Sequence, residues 1–288
     1  MKKYARKWLV SGLRQGIHMT GERGRRLLAE ASAQGQDTLL EVLEPVETQR
    51  GKLVFYCLGD LALWRARTLF IKEPETIEWI DSFKDGDVFW DVGANIGVYS
   101  IYASIGRKIQ VLAFEPSASN YLLLNRNIQY NHLSDQIRAY CIAFANGTAL
   151  DALNMQSTCF ADANSSFANA KDYRDLPIVP NFLQGAVGYS IDEFVGRFNP
   201  PFPTHIKIDV DGQEGDIIAG AERTLKDGRL ESISVEMEAN RVEYVAGVLK
   251  QTEAAGFELI SKRHAEMFES GPYSAVYNYL LRRNQQTK

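Results

Sequence analysis

The sequence predicts an α/β protein with a mainly parallel sheet covered by helices on both faces. From residue 88 onward apolar runs alternate with helical segments, several runs end in an acidic residue, and a glycine-rich turn follows the first run. We expect the last two strands to be an antiparallel pair joined by a loop that contains His264. The predicted strands are 88–92, 109–115, 137–144, 204–210, 232–238, 257–261 and 275–283.

Helices are predicted between these strands at 97–105, 118–131, 214–225 and 241–256. A further short helix, 73–83, precedes the first strand. It has Pro74 at its first position, where a missing N–H group costs nothing.

A long insert at about 144–204 interrupts the alternation of strands and helices. It contains the polar stretch "ADANSSFANAKDYRD" and the proline cluster "NPPFP". Only "YSIDEFVGRF" has local order, with Ser190 and Glu193 spaced as a capping box. Because the insert leaves the carboxyl end of the third strand, where ligands bind in open α/β sheets, we expect it to cover the substrate.

The N-terminal part is predicted to be an extension, 1–74, in front of a catalytic domain, 75–288. Residues 1–45 have helical character, and a Gly59–Asp60 turn predicts a hairpin over 52–70. In residues 1–26, Lys and Arg far outnumber the single acid Glu22. This basic amphipathic segment leaves two alternatives: a helix docked on its own domain or a second subunit, or peripheral contact with an anionic membrane.

Composition limits the broad class of protein. The chain has 288 residues, 45% hydrophobic and 24% charged, and a formal net charge of −4, which gives no general attraction to nucleic acid. No apolar run is long enough to cross a bilayer, and no signal-peptide core is evident. The cysteines Cys57, Cys141 and Cys159 form no CxxC pair, which indicates a reduced compartment. We therefore expect a cytoplasmic protein.

The turn after the first strand indicates which cofactor binds. It has the pattern Asp91-x-Gly93-x-Asn95-x-Gly97, whereas a dinucleotide turn has GxGxxG. A carboxylate at the strand end would repel a pyrophosphate but suits the ammonium and sulfonium groups of S-adenosylmethionine. Glu115, at the end of the second strand, can accept hydrogen bonds from ribose hydroxyls, although an NAD-binding fold also has an acid there.

Three separated blocks, "DVGANIGVYS", "AFEPSASNYLLLNRNI" and "IKIDVDGQEGDIIAGA", resemble the FkbM family of S-adenosylmethionine-dependent methyltransferases over roughly 75–282. The resemblance implies the class I methyltransferase (Rossmann-like) fold, a seven-stranded sheet with its last strand antiparallel. It also implies O-methylation of hydroxyls of sugars, polyketides and other secondary metabolites. Where the family often has Val-Glu-Gly, this chain has Val210-Asp211-Gly212. The cofactor-binding positions so implied are Asp91, Gly93, Asn95, Gly97 and Glu115, to which we add the adjacent Pro116.

The candidate catalytic residues are Asp209, Asp211, Glu236 and His264, all at or near the carboxyl ends of strands. A hydroxyl acceptor needs a base or a metal to take its proton as the new bond forms. Neighbouring acids such as Asp209 and Glu236 can raise one carboxyl pKa towards that of a useful base. Lys207 points to the same face as Asp209 and is expected to pair with Asp209 or Glu236. The carboxylates leave a divalent metal cofactor open, but no spacing of His, Asp and Glu fixes its site, so no metal ligands are assigned.

Two alternatives to an O-methyltransferase remain at this stage: an NAD(P)-dependent oxidoreductase on a similar sheet, and a non-catalytic protein that binds S-adenosylmethionine. The expected partner is a small-molecule or glycan hydroxyl acceptor. A sugar is favoured over a lipid or polyketide because the insert carries side chains such as Asn164, Asn169, Asp172 and Tyr173. The sequence leaves the oligomeric state open.

Overall fold

The computed structural model describes residues 21–24, 26 and 42–284. The chain separates into two compact units, Met1–Val42 and Leu43–Lys288. In the first unit, residues 21–24 and 26 are helical. The rest of the basic segment, with its predicted membrane or subunit contact, lies outside the described residues. Within the ranges described, every helix is too short or too polar to cross a bilayer.

The second unit begins with a hairpin and three helices. These are β1 (Leu43–Thr48), β2 (Gly51–Tyr56), α1 (Gly59–Arg67), α2 (Leu69–Lys72) and α3 (Pro74–Asp81).

The hairpin predicted over 52–70 is wrong, and so is the extension of helix to residue 45. The hairpin turn lies at residues 48–51, where the Thr48 hydroxyl accepts from the Arg50 amide and donates to the Gly51 carbonyl. The alternating burial of Leu53 and Phe55 matches the two-residue period of a strand. Gly59 starts α1 and does not form a turn between strands.

The remaining elements build the main sheet, its helices and the insert. In chain order they are β3 (Val88–Val92), α4 (Val98–Ser104), β4 (Gln110–Phe114), α5 (Ala118–Tyr130), β5 (Ile137–Tyr140), β6 (Ala143–Phe144), β7 (Ala149–Met155), β8 (Ser165–Phe167), β9 (Phe182–Tyr189), α6 (Ile191–Phe198), β10 (His205–Ile208), α7 (Glu214–Ala219), α8 (Glu222–Lys226), β11 (Ser232–Glu238), α9 (Val242–Ala254), β12 (Phe257–Arg263) and β13 (Val276–Arg283).

The main sheet has seven strands in the order β12-β13-β11-β10-β3-β4-β5. Strand β13 is antiparallel to both of its neighbours, whereas the pairs from β11 to β5 are parallel. The predicted seven-stranded α/β sheet is confirmed. Strand β3 shows why both faces are covered: Phe89 and Trp90 are fully buried, in separate apolar clusters.

The insert is more regular than its polar sequence indicates. Strands β6 to β9 form a second sheet in the order β6-β9-β7-β8. The single third strand predicted over 137–144 is accordingly two, because β5 pairs with β4 and β6 pairs with β9. The predicted cap of α6 is present, since Ser190 Oγ accepts from the Glu193 amide at 3.2 Å.

The backbone of the β3–α4 turn packs closely against the end of the neighbouring strand β10. Gly93 has φ +84°, and a Cβ atom there would lie 1.8 Å from the Asp209 carbonyl oxygen. Gly97 has φ +81°, and its Cβ atom would lie 2.4 Å from Leu124 Cδ1 on α5. Gly93 therefore requires glycine for packing as well as for backbone conformation, whereas at Gly97 the left-handed backbone is the firmer constraint because the Leu124 methyl group ends a side chain.

We expect Gly93→Ala to lower the free energy of unfolding by about 2–4 kcal/mol, because left-handed strain adds to a clash with a backbone atom that cannot move aside. Gly247→Ala is the control, since Gly247 lies within α9 with open space around its Cα atom. Urea unfolding followed by circular dichroism measures both. Equal stability of the two variants would contradict the packing argument.

Candidate active site

A cavity of about 490 Å³ lies over the carboxyl ends of the parallel strands. Five of its lining residues belong to successive strands or to the turns that follow them: Glu115 after β4, Gly93 after β3, Asp209 after β10, Glu236 on β11 and Asn278 on β13. Adjacent strands are about 4.8 Å apart, so these residues span about 19 Å along the sheet edge. The cavity is therefore long enough for two ligands side by side.

The cavity brings together most of the residues that the sequence selected. Asp91 and Gly97 are the exceptions, since neither lines it. The predicted residues that line the cavity are Gly93, Asn95, Glu115, Pro116, Asp209, Asp211, Glu236 and His264.

Asp91 lies beneath the turn and is 2% exposed. Its carboxylate accepts a hydrogen bond of 2.6 Å from the Ser100 hydroxyl on α4. Burial raises the pKa of Asp91 to about 6, although Lys207 and Ser100 act in the opposite direction. The Asp91 side chain therefore holds the turn against α4 from below. It does not line the cavity, so it can affect a ligand there only through its electrostatic field.

Glu115 is held in place by the backbone around it. Its two carboxylate oxygens accept from the amides of Asn95, at 2.8 Å, and Ser117, at 2.9 Å. Burial raises the pKa of Glu115 to about 7, against the effect of these two amides. The carboxylate is thus fixed at the cavity wall and keeps lone pairs for hydroxyl donors, as a ribose requires.

The insert reaches this end of the cavity through residues 161–167. The Asp162 carbonyl accepts from the side-chain amides of Asn95 at 2.8 Å and Asn120 at 3.0 Å. Asn120 Oδ1 is buried, and no described residue donates to it. An unpaired acceptor beside Glu115 fits a nucleoside that carries hydroxyl and amino donors, such as S-adenosylmethionine. The acids that line the cavity do not suit a pyrophosphate.

A buried network of acids and lysines lies at the middle of the cavity floor. Lys207 is 1% exposed, and its ammonium lies 2.6 Å from Asp209 and 3.5 Å from Glu73. Lys72 lies 2.6 Å from the other oxygen of Glu73. The Lys207 ammonium also lies 5.1 Å from the centroid of the Tyr99 ring. The network connects helices α2 and α3 to the end of β10.

The network gives its carboxyl groups different pKa values. Burial alone would raise the pKa of Glu73 and of Asp209, but Lys207 and Lys72 lower both below the usual range. Burial and then the Asp209 charge raise the pKa of Glu236 well above its usual value. Glu236 is therefore the proton-binding member of the group, as the argument from neighbouring acids led us to expect.

Oxygens of Glu73, Asp209 and Glu236 lie within 4.8 Å of one another, a spacing that could hold a metal ion. Two ammonium groups already balance Glu73 and Asp209, and the Lys207 ammonium lies against both of these acids. A divalent cation would have to compete with both lysines. The arrangement is better described as a charge-balanced ion network than as a metal centre.

The two other candidate catalytic residues lie on loops at the cavity wall. Asp211 has φ +58°, accepts from the Asn164 amide at 2.6 Å, and has its pKa raised to about 6 by burial and by Asp209. The His264 ring stacks on Tyr277 with centroids 4.1 Å apart, and its Nδ1 is buried with no partner among the described residues. Asp211 thus holds the insert at the Asn164 amide. His264 follows β12 and lies towards the end of the cavity opposite Glu115.

Sequence reasoning missed the contribution of the "IKEPE" segment and of β13. Lys72, Glu73 and Glu75 line the cavity, as does Asn278. Acids at the start of a helix are ordinarily explained by the helix dipole, so Glu73 and Glu75 were unremarkable beside Pro74. The sequence did contain one indication. A buried lysine such as Lys207 needs acidic partners, and a search for them among acids distant in the chain would have included Glu73.

Comparison with known proteins identifies the family of this chain. The family model described as the methyltransferase FkbM domain matches residues 91–260, more than half of the chain. The hexuronic acid methyltransferase AglP of Haloferax volcanii is 26% identical over 172 residues, which cover 57% of this chain and 62% of that protein. The match thus spans less than two thirds of the relative's length.

Solved methyltransferase structures also align with the chain. A precorrin-6y C5,15-methyltransferase from Geobacter metallireducens has 15% identity and a TM-score of 0.44, covering 80% of this chain and 94% of its own. An S-adenosylmethionine-dependent O-methyltransferase from Thermotoga maritima has 12% identity and a TM-score of 0.44, covering 85% and 79%.

The seven-stranded sheet and the family match define the class of this domain, an S-adenosylmethionine-dependent methyltransferase with a Rossmann-like fold. Within that class, the chain belongs to the FkbM methyltransferase-domain family. The alternative of an NAD(P)-dependent oxidoreductase is thereby set aside.

We expect Glu115→Gln to weaken S-adenosylmethionine binding about 10- to 100-fold, because the amide loses charge-assisted hydrogen bonds and turns a donor towards a backbone N–H. Isothermal titration calorimetry measures the dissociation constant. Glu243→Gln, at an exposed position on α9, is the control. Unchanged affinity in Glu115→Gln would remove Glu115 from the cofactor site.

Proposed function

We propose that this protein transfers a methyl group from S-adenosylmethionine to a hydroxyl of a sugar, with hexuronic acids as the first acceptor class. The observation that carries the proposal is the position of Glu236, a carboxyl group of raised pKa on the cavity wall, two strands from the turn at Gly93. The relative whose name states hexuronic acid methylation supports the acceptor class.

Cofactor binding is assigned to the β3 and β4 side of the cavity. Glu115 would accept from the ribose hydroxyls, and Gly93, Asn95 and Pro116 would form the wall around them. Bound there, S-adenosylmethionine supplies an electrophilic methyl group. The chain contributes by holding donor and acceptor close and in line, which accounts for much of the rate of a displacement reaction. In this proposal Asp91 and Gly97 support the turn from behind.

The base is assigned to Glu236. Asp209 is a poor base because Lys207, 2.6 Å away, stabilises its charged form. Glu236 has the higher proton affinity and can take the hydroxyl proton as the new bond forms. Lys207 and Asp209 then act as positioning groups that keep the local charge balanced. In this proposal Asp211 and His264 help to shape the cavity.

A hydroxyl fits this cavity better than a carboxyl group as the methylated position. An acceptor carboxylate placed beside charged Glu73 and the deprotonated form of Glu236, in which Glu236 acts as the base, would meet like charges in a poorly solvated space. A neutral hydroxyl has no such cost and can donate to either acid. On this ground the expected product is a methyl ether, and the carboxylate of a hexuronic acid would point away from the acids.

The experiment is to incubate the protein with methyl-labelled S-adenosylmethionine and p-nitrophenyl β-D-glucuronide, then treat the product with mild base. We expect label that survives base, because an ether is stable where a methyl ester hydrolyses. Release of all label by base would move the reaction to the carboxylate. Label transfer to none of a panel of hexoses and hexuronic acids, with cofactor binding intact, would indicate the non-catalytic alternative.

The rate should rise with pH through the raised pKa of Glu236, because a general base acts in its deprotonated form and the group is protonated below that pKa. We expect Glu236→Gln to lower kcat about 10²- to 10⁴-fold and to abolish this limb of the profile. Glu231→Gln is the control, because Glu231 is exposed and lies immediately before the first residue of β11. A profile with the same rising limb in Glu236→Gln would assign the base elsewhere.

A further inference from the structure

We propose that Glu75 and Asn278 form an acceptor-recognition pair that binds two hydroxyl groups of a polyhydroxylated acceptor. This inference rests on the proposed function and specifies how the same cavity selects its substrate. The pair is separate from the acids that we assign to proton transfer and from the residues that we assign to the cofactor.

The two side chains are buried and joined to each other. Glu75 on α3 is 8% exposed and Asn278 on β13 is 5% exposed. The Asn278 amide donates to Glu75 Oε1 at 2.9 Å, which fixes both side chains and leaves Glu75 Oε2 and Asn278 Oδ1. Both remaining oxygens are buried, and no described residue donates to either. Both residues line the cavity.

Two unpaired acceptors side by side are costly unless something donates to them. A buried polar group without its partner costs about 1–3 kcal/mol, so native cores rarely keep one for packing alone. The hydrogen bond within the pair occupies Glu75 Oε1, and no described residue donates to Glu75 Oε2 or Asn278 Oδ1. A ligand that brings two donors would satisfy both oxygens at once.

The position of the pair selects the acceptor over the cofactor. Asn278 is paired with Glu236 across β11 and β13, next to the proposed base. Glu115 lies four strand spacings away at the opposite end of the cavity, about 19 Å along the sheet edge. Two aromatic side chains, Phe268 and Tyr273, line the cavity as well and can flank a sugar ring.

The chemistry of the pair specifies what it recognises. A carboxylate oxygen and an amide oxygen both accept hydrogen bonds, so the ligand must donate twice. Neighbouring hydroxyls on a sugar ring meet this need, whereas a phosphate or carboxylate offers only acceptors and would be repelled by Glu75. The pair therefore favours hydroxyl-bearing rings and turns the acidic group of a hexuronic acid elsewhere.

The pair also lies outside the part of the chain that the family model covers. The match extends over residues 91–260, whereas position 75 precedes it and position 278 follows it. The shared domain supplies the cofactor turn and the strand-end acids. Acceptor recognition is thus added by the two flanking segments.

The test is the double variant Glu75→Leu/Asn278→Leu, which replaces both polar partners with apolar groups of similar size. If the pair serves recognition, the melting temperature should stay the same or rise, because removing both partners leaves nothing buried and unpaired. The affinity for S-adenosylhomocysteine, measured by calorimetry, should be unchanged. Glu78→Leu is the control, since Glu78 is an exposed acid on the same helix and does not line the cavity.

The readout is binding of p-nitrophenyl β-D-glucuronide to the S-adenosylhomocysteine complex, without turnover. We expect the double variant to bind it about 100-fold more weakly than the wild type, and Glu75→Gln to show a smaller loss. Among singly deoxygenated glucuronides, at least one should lose affinity for the wild type and lose none for the double variant. That pattern distinguishes a direct hydrogen bond from a general disturbance of the site.

Three results overturn the inference: equal probe affinity in the double variant and the wild type, weaker S-adenosylhomocysteine binding in the double variant, or no binding of any hydroxylated probe to the wild type. Methyl transfer is measured separately on the wild type. A wild type that binds the glucuronide through this pair but never methylates it would contradict the proposed function and leave the recognition pair standing.

Discussion

The ammonium of Lys207 is the interaction on which the arrangement of the cavity floor depends. Parallel strands deliver their carboxyl ends to one edge, and here that edge collects several acids at short range. Without a buried cation their mutual repulsion would oppose folding. Lys207 lies within β10, is almost fully buried, and contacts Asp209 at the end of its own strand and Glu73 between α2 and α3. It therefore ties the α2–α3 junction to the sheet and affects the charges of the catalytic candidates.

The same ion network explains how four similar carboxyl groups acquire different properties. Asp209 and Glu73 are close to ammonium groups and stay charged, whereas Glu236 lies beside charged Asp209 and binds its proton more tightly. Asp91, beneath the turn, is paired with a hydroxyl. The differences come from neighbours supplied by separate parts of the chain, and residue type alone does not determine them.

Local patterns were sufficient to predict the sheet and to select several residues that line the Glu115 end of the cavity. Strand β3, the glycine turn and Glu115 are consecutive or nearly so, and their chemistry follows from strand ends and backbone amides. The Glu75–Asn278 end of the cavity was beyond sequence reasoning because these two residues are 203 residues apart and meet only through the antiparallel placement of β13. The hairpin was misplaced because Gly and Asp favour turns but also occur at helix starts, as Gly59 and Asp60 do here.

The carbonyl of Asp162, shared by the amides of Asn95 and Asn120, ties the insert to the cofactor turn through a main-chain atom. A main-chain acceptor is present whatever side chain occupies that position. At this contact the insert contributes a main-chain atom, whereas elsewhere its Gln184 side chain donates to the Pro116 carbonyl and accepts from the Ala118 amide. The side chain at position 162 can therefore change, and with it the local shape of the cavity wall, while this point of attachment stays the same.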